Sequence, residues 1–354
     1  MIKIKKILIS TIVVLNLNTI LCANEEKVSA EITEKLLIFI EGTTQNTTWS
    51  YDYKFNLTDA GLKFFKANSF ARAHKLKHKP SSWDLEDEYK NNFGKLVKGS
   101  IQYSKNKFKV IEEQIGQKKN SLSTFKFDGL RHMTEKNDDK KGYILEYSTL
   151  RTPTPIESLL YVPDKFSHVS GTLSSGKNLI SDWLLSSSGL SITLNEKGNT
   201  LIRALKKADP TGKIDRMLTI EMKSDTFEPM RYSYGRVDLD SNKQIIKEYK
   251  TNDLLFLDYK ENDGFKYPSL IVKRSKGSID NALNGLTPDK KKEILDEINY
   301  QGDVNFRDIT SEARIEINSV IKDENMLPSE IFSPRKIKND YFYYDYNLDG
   351  IVQF

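Results

Sequence analysis

The chain has 354 residues, 38% hydrophobic and 10% aromatic, with 54 lysines and arginines against 49 acidic residues and a formal charge of +5. That composition supplies a sizeable core and excludes a strongly basic nucleic-acid binder, whose field a near-neutral surface cannot provide. Low-complexity tracts, sustained heptads and internal repeats are absent from the sequence, so coiled-coil and solenoid architectures fall away as well.

The first element is a leader. Lys3, Lys5 and Lys6 precede an apolar run from Ile7 to Leu21, followed by Cys22-Ala23 and then Asn24-Glu25-Glu26. A basic start, a short apolar segment and a small residue before a charged switch read as a secretory signal. The run is about 15 residues and carries Asn16 and Asn18, short of the roughly 20 needed to span a bilayer. Cleavage after Ala23 makes residues 1–23 a signal peptide and the mature chain periplasmic or secreted. The alternative is a lipid anchor through Cys22, against which the bulky Ile20 and Leu21 stand. Cys22 is the single cysteine, so a released mature chain has no thiol, disulfide or cysteine-bound metal. Removing the leader takes three lysines and no acids, which lowers the balance from +5 to +2.

Residues 27–40 place Val28, Ile32, Leu36 and Phe39/Ile40 at the spacing of one helical face. From Thr47 to Phe55 the period changes to two: Trp49, Tyr51, Tyr53 and Phe55 alternate with Ser50, Asp52 and Lys54. That is a strand with one aromatic face and one wet face. Residues 57–97 are charged and partly helical, with Trp83–Phe93 as the predicted helix. Alternation then returns at Ile101/Tyr103, Phe108/Val110, Phe125/Phe127 before the Asp128-Gly129 turn, and Tyr143/Leu145/Tyr147.

Residues 153–189 interrupt the pattern with Pro153, Pro155 and a Ser/Leu-rich segment around Trp183-Leu184-Leu185. Strands resume at Ile192/Leu194, Leu218/Ile220/Met222, Met230/Tyr232/Tyr234, Ile245–Tyr249, Leu254–Tyr259 and Tyr267–Val272, with turns at Asp240-Ser241-Asn242 and Asp263-Gly264. Pro288–Ile298 is predicted as a helix, with Thr287 as its cap and proline in its first turn. A last strand near Ala313–Ile321 precedes loops. Consecutive strands joined by short polar turns predict an antiparallel meander. The fold class is α+β: a large curved antiparallel β-sheet with helices laid across one face.

This order resembles the periplasmic lipoprotein-sorting (LolA/LolB-like) family. The resemblance lies in a leader, an amphipathic helix, an aromatic first strand, and the pair Gly99-Ser100-Ile101-Gln102-Tyr103 and Lys107-Phe108-Lys109-Val110. It extends to Phe227-Glu228-Pro229-Met230-Arg231, where a proline precedes a basic strand, and to the closing Leu327-Pro328-Ser329-Glu330-Ile331-Phe332-Ser333-Pro334. The resemblance implies a half-open β-barrel over residues 24–334, with helices covering an apolar concave face that takes acyl chains or lipidated partners. Residues 57–97 and 153–189 would then be insertions, and 335–354 a C-terminal tail.

The candidate ligand-binding residues are the large apolar side chains of the strands: Trp49, Tyr51, Tyr53, Phe55, Tyr143, Leu145, Tyr147, Leu218 and Ile220. A cavity for an apolar ligand needs such groups because they carry no charge to desolvate. The same faces serve equally as plain core.

Other motifs are weaker. Gly171–Asn178 nearly spells a phosphate loop, but Asn178 stands where Ser or Thr would hold magnesium. Asp345–Val352 matches the first half of a calcium loop whose closing glutamate would fall beyond Phe354. His74 and His78 have the spacing of zinc ligands on a helix, but Lys75, Lys77 and Lys79 crowd them. With Arg72 they form a basic patch suited to peripheral membrane contact. The histidines at 74, 78, 132 and 168 sit in no nucleophile setting, and acids such as Asp238 and Asp240 lie near hairpin turns.

The expectation is therefore a monomeric, non-enzymatic exported protein, without cofactor, metal or nucleic acid, that shelters an acyl chain or a lipidated partner. The alternatives are a cell-envelope scaffold with a filled core and, third, a carboxylate-dependent hydrolase.

Overall fold

In a computed structural model, the described residues are 31, 34–35, 46–76, 94, 96–104, 107–115, 121–127, 131–136, 141–146, 187, 189–207, 214–240, 245–262, 264–322, 328, 331–332, 342–345 and 350–353. The leader and Cys22, Trp83–Phe93, Tyr147, the phosphate-loop-like run, His78 and His168 lie outside them.

The aromatic alternation folds as expected into β1 (Thr47–Leu57). A first meander follows: β2 (Leu96–Ser104), β3 (Lys107–Ile115), β4 (Ser121–Phe127), β5 (Arg131–Lys136) and β6 (Lys141–Glu146). A second runs through β7 (Gly189–Leu194), β8 (Thr200–Lys207), β9 (Ile214–Met222), β10 (Pro229–Leu239), β11 (Ile245–Asn262), β12 (Phe265–Gly277) and β13 (Asp308–Lys322). Within each meander neighbours in sequence are neighbours in space, so only short turns are needed. The non-local pairings are β1 with β13, antiparallel, and β6 with β14 (Phe342–Asp345), parallel. Strand β15 (Gly350–Gln353) pairs with β14 and forms one edge; β7 forms the other. Among the described residues the result is one 15-stranded sheet, antiparallel apart from the β6–β14 step, whose two edges are not joined.

The structure corrects several local readings. The tail, expected as loops, adds the β14–β15 hairpin to the sheet, with Asp345 and Gly350 as paired strand ends. Ile245–Tyr249 and Leu254–Tyr259 are one continuous β11 rather than two strands. β5 and β8 were not anticipated, because Arg131–Lys136 and Thr200–Lys207 carry little clean alternation.

Three helices lie at the end of the sheet where β1 and β12 finish and β13 begins. The 18-residue α1 (Asp59–Leu76) packs on β13 and β1; α2 (Ile279–Ala282) and α3 (Pro288–Glu297) pack on α1. The Thr58 hydroxyl caps α1 by accepting from the Gly61 amide at 3.0 Å and donates to the Ile309 carbonyl, which ties the helix to β13. These helices form their own core from Ala67, Ala71, Ile279, Leu283, Ile294 and Ile298. Proline starts α3 after Thr287 as expected, although the threonine hydroxyl makes no cap bond. Glu31, Glu34 and Lys35 are helical, with Lys35 bonded to Glu31 at 2.7 Å one turn earlier.

The main core lies on one face of the sheet. Side chains two strands apart meet above the strand between them, as on the inside of a curved sheet. Trp49 of β1 meets Tyr267 of β12 edge to face at 5.9 Å, above β13. Tyr51 of β1 lies above Gly99 of β2 and donates to Glu112 Oε1 of β3 at 2.6 Å. A Cβ at position 99 would sit 2.1 Å from the Tyr51 ring. The variant Gly99→Ala should therefore cost about 1–3 kcal/mol, the usual range for overpacking. It should lower the urea midpoint without changing the slope, and truncating Tyr51 in the same chain should recover part of the loss. An unchanged midpoint would contradict this packing.

Candidate functional site

Strand register defines the apolar face row by row. One row runs from β7 to β1 through Ile192, Ile202, Ile220, Tyr232, Leu254, Lys273, Ala313 and Phe55, each the direct partner of the next. Beside it run Leu190, Ala204, Leu218 and Tyr234. The row through Trp49 continues to Ile101, Val110, Phe125, Thr134 and Tyr143. Direct partners share a face, so this is a single surface crossing most of the sheet.

The sequence-predicted residues fall on it as follows. Trp49, Tyr51, Leu218 and Ile220 are 0–4% exposed members of the main core. Tyr53 is half-buried against that core, and Phe55 is half-buried one step further along β1. Tyr143 and Leu145 pair with Thr134 and His132 from β6, in the far arm of the sheet from β9 and its Leu218 and Ile220. Tyr147 lies outside the described residues.

Sequence reasoning missed the polar groups set into this face. Continuing the Tyr267, Ser269, Ile271 alternation by one step would have placed Lys273 there. Burial drives the Lys273 ammonium down to about 8. The Tyr232 hydroxyl is completely buried and has no hydrogen-bond partner among the described residues, while its ring packs edge to face on Phe256 at 4.8 Å. Tyr51 and Tyr53 are pushed up, first by burial and then by the Glu112 carboxylate. Tyr259 is pushed up by burial and by its neighbours Tyr232 and Glu228, and donates to the Pro229 carbonyl at 2.6 Å.

Around Pro229, the segment singled out by the family resemblance forms a corner of the face. Glu228 is buried and bonded to Lys223 at 2.7 Å and Lys266 at 3.0 Å. Burial alone would raise its carboxyl, but the two ammoniums outweigh that and hold it below the usual range. Phe227 packs on the main core, and the Lys35 ammonium stands 4.8 Å from its ring. That contact brings the N-terminal helical residues to this corner. Phe332 of the closing stretch is also fully buried.

The opposite face carries buried polar groups beside apolar ones such as Met217, Val237 and Val272. Buried Asp253 accepts from Arg231 at 2.8 Å and Ser233 at 2.7 Å, and pairs with Lys276 at 3.1 Å. A shallow depression of about 80 Å³ lies alongside, lined by groups such as Arg203, Glu221 and Lys250. A larger one, about 240 Å³, opens beside α1 between Lys63, Phe64, Ile279, Tyr300 and Phe306. Neither is lined by the apolar face. Among the described residues no three His, Cys, Asp or Glu side chains converge on a metal position, and no helix is long and apolar enough to cross a membrane.

No protein-family model matches the chain, and no curated protein matches it in sequence. Solved structures similar to it include an outer membrane lipoprotein-sorting protein domain from Vibrio parahaemolyticus, 7% identical over 85% of this chain and 94% of that one, with a TM-score of 0.39. A LolA superfamily protein from Nitrosomonas europaea is 8% identical over 86% and 97%, also at 0.39. A DUF1329 family protein from Desulfovibrio piger is 10% identical over 87% and 98%, at 0.38.

The position of Lys273 has a measurable consequence. Its folded-state value of about 8 lies below the ordinary 10.5. Between those values the unfolded chain holds a proton that the folded chain has released, so stability rises with pH across the window. The shift corresponds to about 3 kcal/mol. Urea titrations at pH 8 and pH 10.5 should show this rise in the wild type and its loss in Lys273→Met. Parallel pH profiles for the two proteins would contradict the burial of this lysine.

Proposed function

We propose that the chain is an exported, non-enzymatic binding protein that shelters an acyl chain, free or on a lipidated partner, against the apolar face of its open sheet. The observation that carries this reading is the row from Ile192 to Phe55, which crosses neighbouring strands and is apolar apart from Lys273 and the Tyr232 hydroxyl. The described helices α1–α3 share a core of their own and pack on β13 and β1. Apolar ligand surface laid on it would contribute at about 25 cal/mol per Å² removed from water. The candidate binding residues are Trp49, Tyr51, Tyr53, Phe55, Tyr143, Leu145, Tyr147, Leu218 and Ile220. Delivery to the periplasm or medium follows from the leader, by cleavage after Ala23, with acylation at Cys22 as the alternative. The working form is a monomer without cofactor.

A second reading has its own support. Leu218, Ile220 and Ile202 are 0% exposed, which suits a cell-envelope scaffold whose face is filled by the chain's own side chains. The orphaned Tyr232 hydroxyl speaks for the carrier, because a permanently filled core normally satisfies its buried polar groups.

Delipidated mature protein separates the two. The carrier reading expects saturable uptake of a fluorescent fatty acid, and a co-purifying amphiphile in native mass spectra of protein taken from its own envelope. A dry, packed face with no uptake and no cargo would leave the scaffold.

A further inference from the structure

The hollow of about 240 Å³ beside α1 has walls unlike those of the apolar sheet face. Three aromatic side chains line it: Phe64 of α1, and Tyr300 and Phe306 from the connection between α3 and β13. Two carboxylates share the lining, Asp59 in the first turn of α1 and Asp308 at the start of β13. The one cation of the lining is the exposed Lys63, whose ammonium stands 5.8 Å from the Tyr300 ring centroid. That is close to the roughly 6 Å limit at which a ring face attracts a cation.

Backbone bonds fix this arrangement. The Tyr300 hydroxyl donates to the Asp303 carbonyl at 3.0 Å, and the Phe306 amide donates to the same carbonyl at 3.0 Å. The Asp303 carboxylate accepts from the Asn305 amide at 2.9 Å, and the Val304 carbonyl accepts from Asp280 of α2 at 2.9 Å. This well-bonded loop nevertheless leaves Phe306 63% exposed beside the hollow. Exposed aromatic rings are enriched where a protein meets a partner.

Charge selects the guest. Two carboxylates against one ammonium disfavour an anion. Among the described residues no hydrogen bond or ion pair holds the Asp59 carboxylate, although its place in the first turn suits the helix dipole. Asp308 accepts the amide of Ile309, the next residue, at 2.7 Å. A guanidinium answers both wall chemistries at once, because its flat face stacks on aromatic rings while its edge donates to carboxylates. The volume lies below the roughly 300–1,000 Å³ of drug-sized pockets, which suits a single side chain.

We propose that this hollow is a docking site for an arginine side chain on an exposed peptide segment of a partner protein. The guanidinium lies on the Tyr300 ring in place of Lys63 and reaches toward Asp59 and Asp308. Phe306 packs on the residues that flank the arginine. A free amino acid suits the site less well, because the same aspartates repel its carboxylate. The site is independent of the acyl-chain reading of the sheet.

Ligand-observed NMR titrations on the full mature chain test it with three probes: acetyl-Gly-Arg-Gly-amide, the same peptide with citrulline, and free arginine. The arginine peptide should bind about tenfold tighter than either of the others, as one charge-assisted contact provides. Phe306→Ala should weaken it about tenfold, the usual loss for an aromatic anchor. Asp59→Asn combined with Asp308→Asn should bring the two peptides together. Lys63→Gln should tighten the arginine peptide, because the competing ammonium is gone. All four positions are exposed, so these chains should melt as the wild type does. Equal affinities for the two peptides in the wild type, or no binding of either, would overturn the proposal. So would a preference for arginine that survives loss of both carboxylates, an affinity unchanged in Phe306→Ala, or weaker binding in Lys63→Gln. Free arginine binding as tightly as the peptide would make this a small-molecule site and overturn the protein partner. None of these outcomes bears on acyl uptake at the sheet.

Discussion

The pairing of β1 with β13 is the contact on which the rest of the structure depends. Each meander can form by local hairpins, but neither alone presents the full apolar surface. Register between the two strands decides whether their apolar faces coincide, because a slip of one residue turns every side chain over. A bulge resolves this. Ser50 pairs with Ser319 and Tyr51 with Ile317, leaving Asn318 as the extra residue. The result is that Trp49 faces Val320 and Tyr51 faces Ile317, all of them buried on one side. The bulge also adds local twist, which helps a wide sheet curve rather than lie flat. Closing so long a loop costs entropy before any contact forms, so this step is expected late and slow in folding.

Once the faces coincide, the polar groups among them become informative. Tyr51 resolves its own burial by reaching across Gly99 to Glu112. Glu228 resolves its burial through Lys223 and Lys266, and Asp253 on the far face does the same with Arg231, Ser233 and Lys276. On the apolar face Lys273 loses basicity, and the Tyr232 hydroxyl has no hydrogen-bond partner among the described residues. Groups that reduce stability are more readily explained by what they meet in use than by packing. Lys273 and Tyr232 both lie on the one face that the fold makes continuous.

Much of this was legible in the sequence because period-two alternation is a direct print of a half-buried strand. Trp49 to Phe55, Leu218 to Met222 and Met230 to Tyr234 announced their strands and their inward residues together. Thr287-Pro288 likewise announced α3. What escaped was of two kinds. Thr200–Lys207 and Arg131–Lys136 lack clean alternation, and their strand character comes from the neighbours they pair with. The face's charge escaped because Lys273 looks like an ordinary solvated residue in one dimension. Only cross-strand register puts Lys273 between Leu254 and Ala313. The helix α1 shows the same limit, since its apolar residues serve a small separate core instead of a long amphipathic stripe.

The central claim is that an acyl chain lies against this face, and Trp49 sits within it as a built-in reporter. Replacing Trp83 and Trp183 with phenylalanine leaves Trp49 as the sole tryptophan. Titrating that protein with a fatty acid brominated along its chain should quench Trp49 emission saturably, at the same concentrations that displace a bound dye. Dye displacement with Trp49 emission unchanged would place the ligand elsewhere and contradict the account.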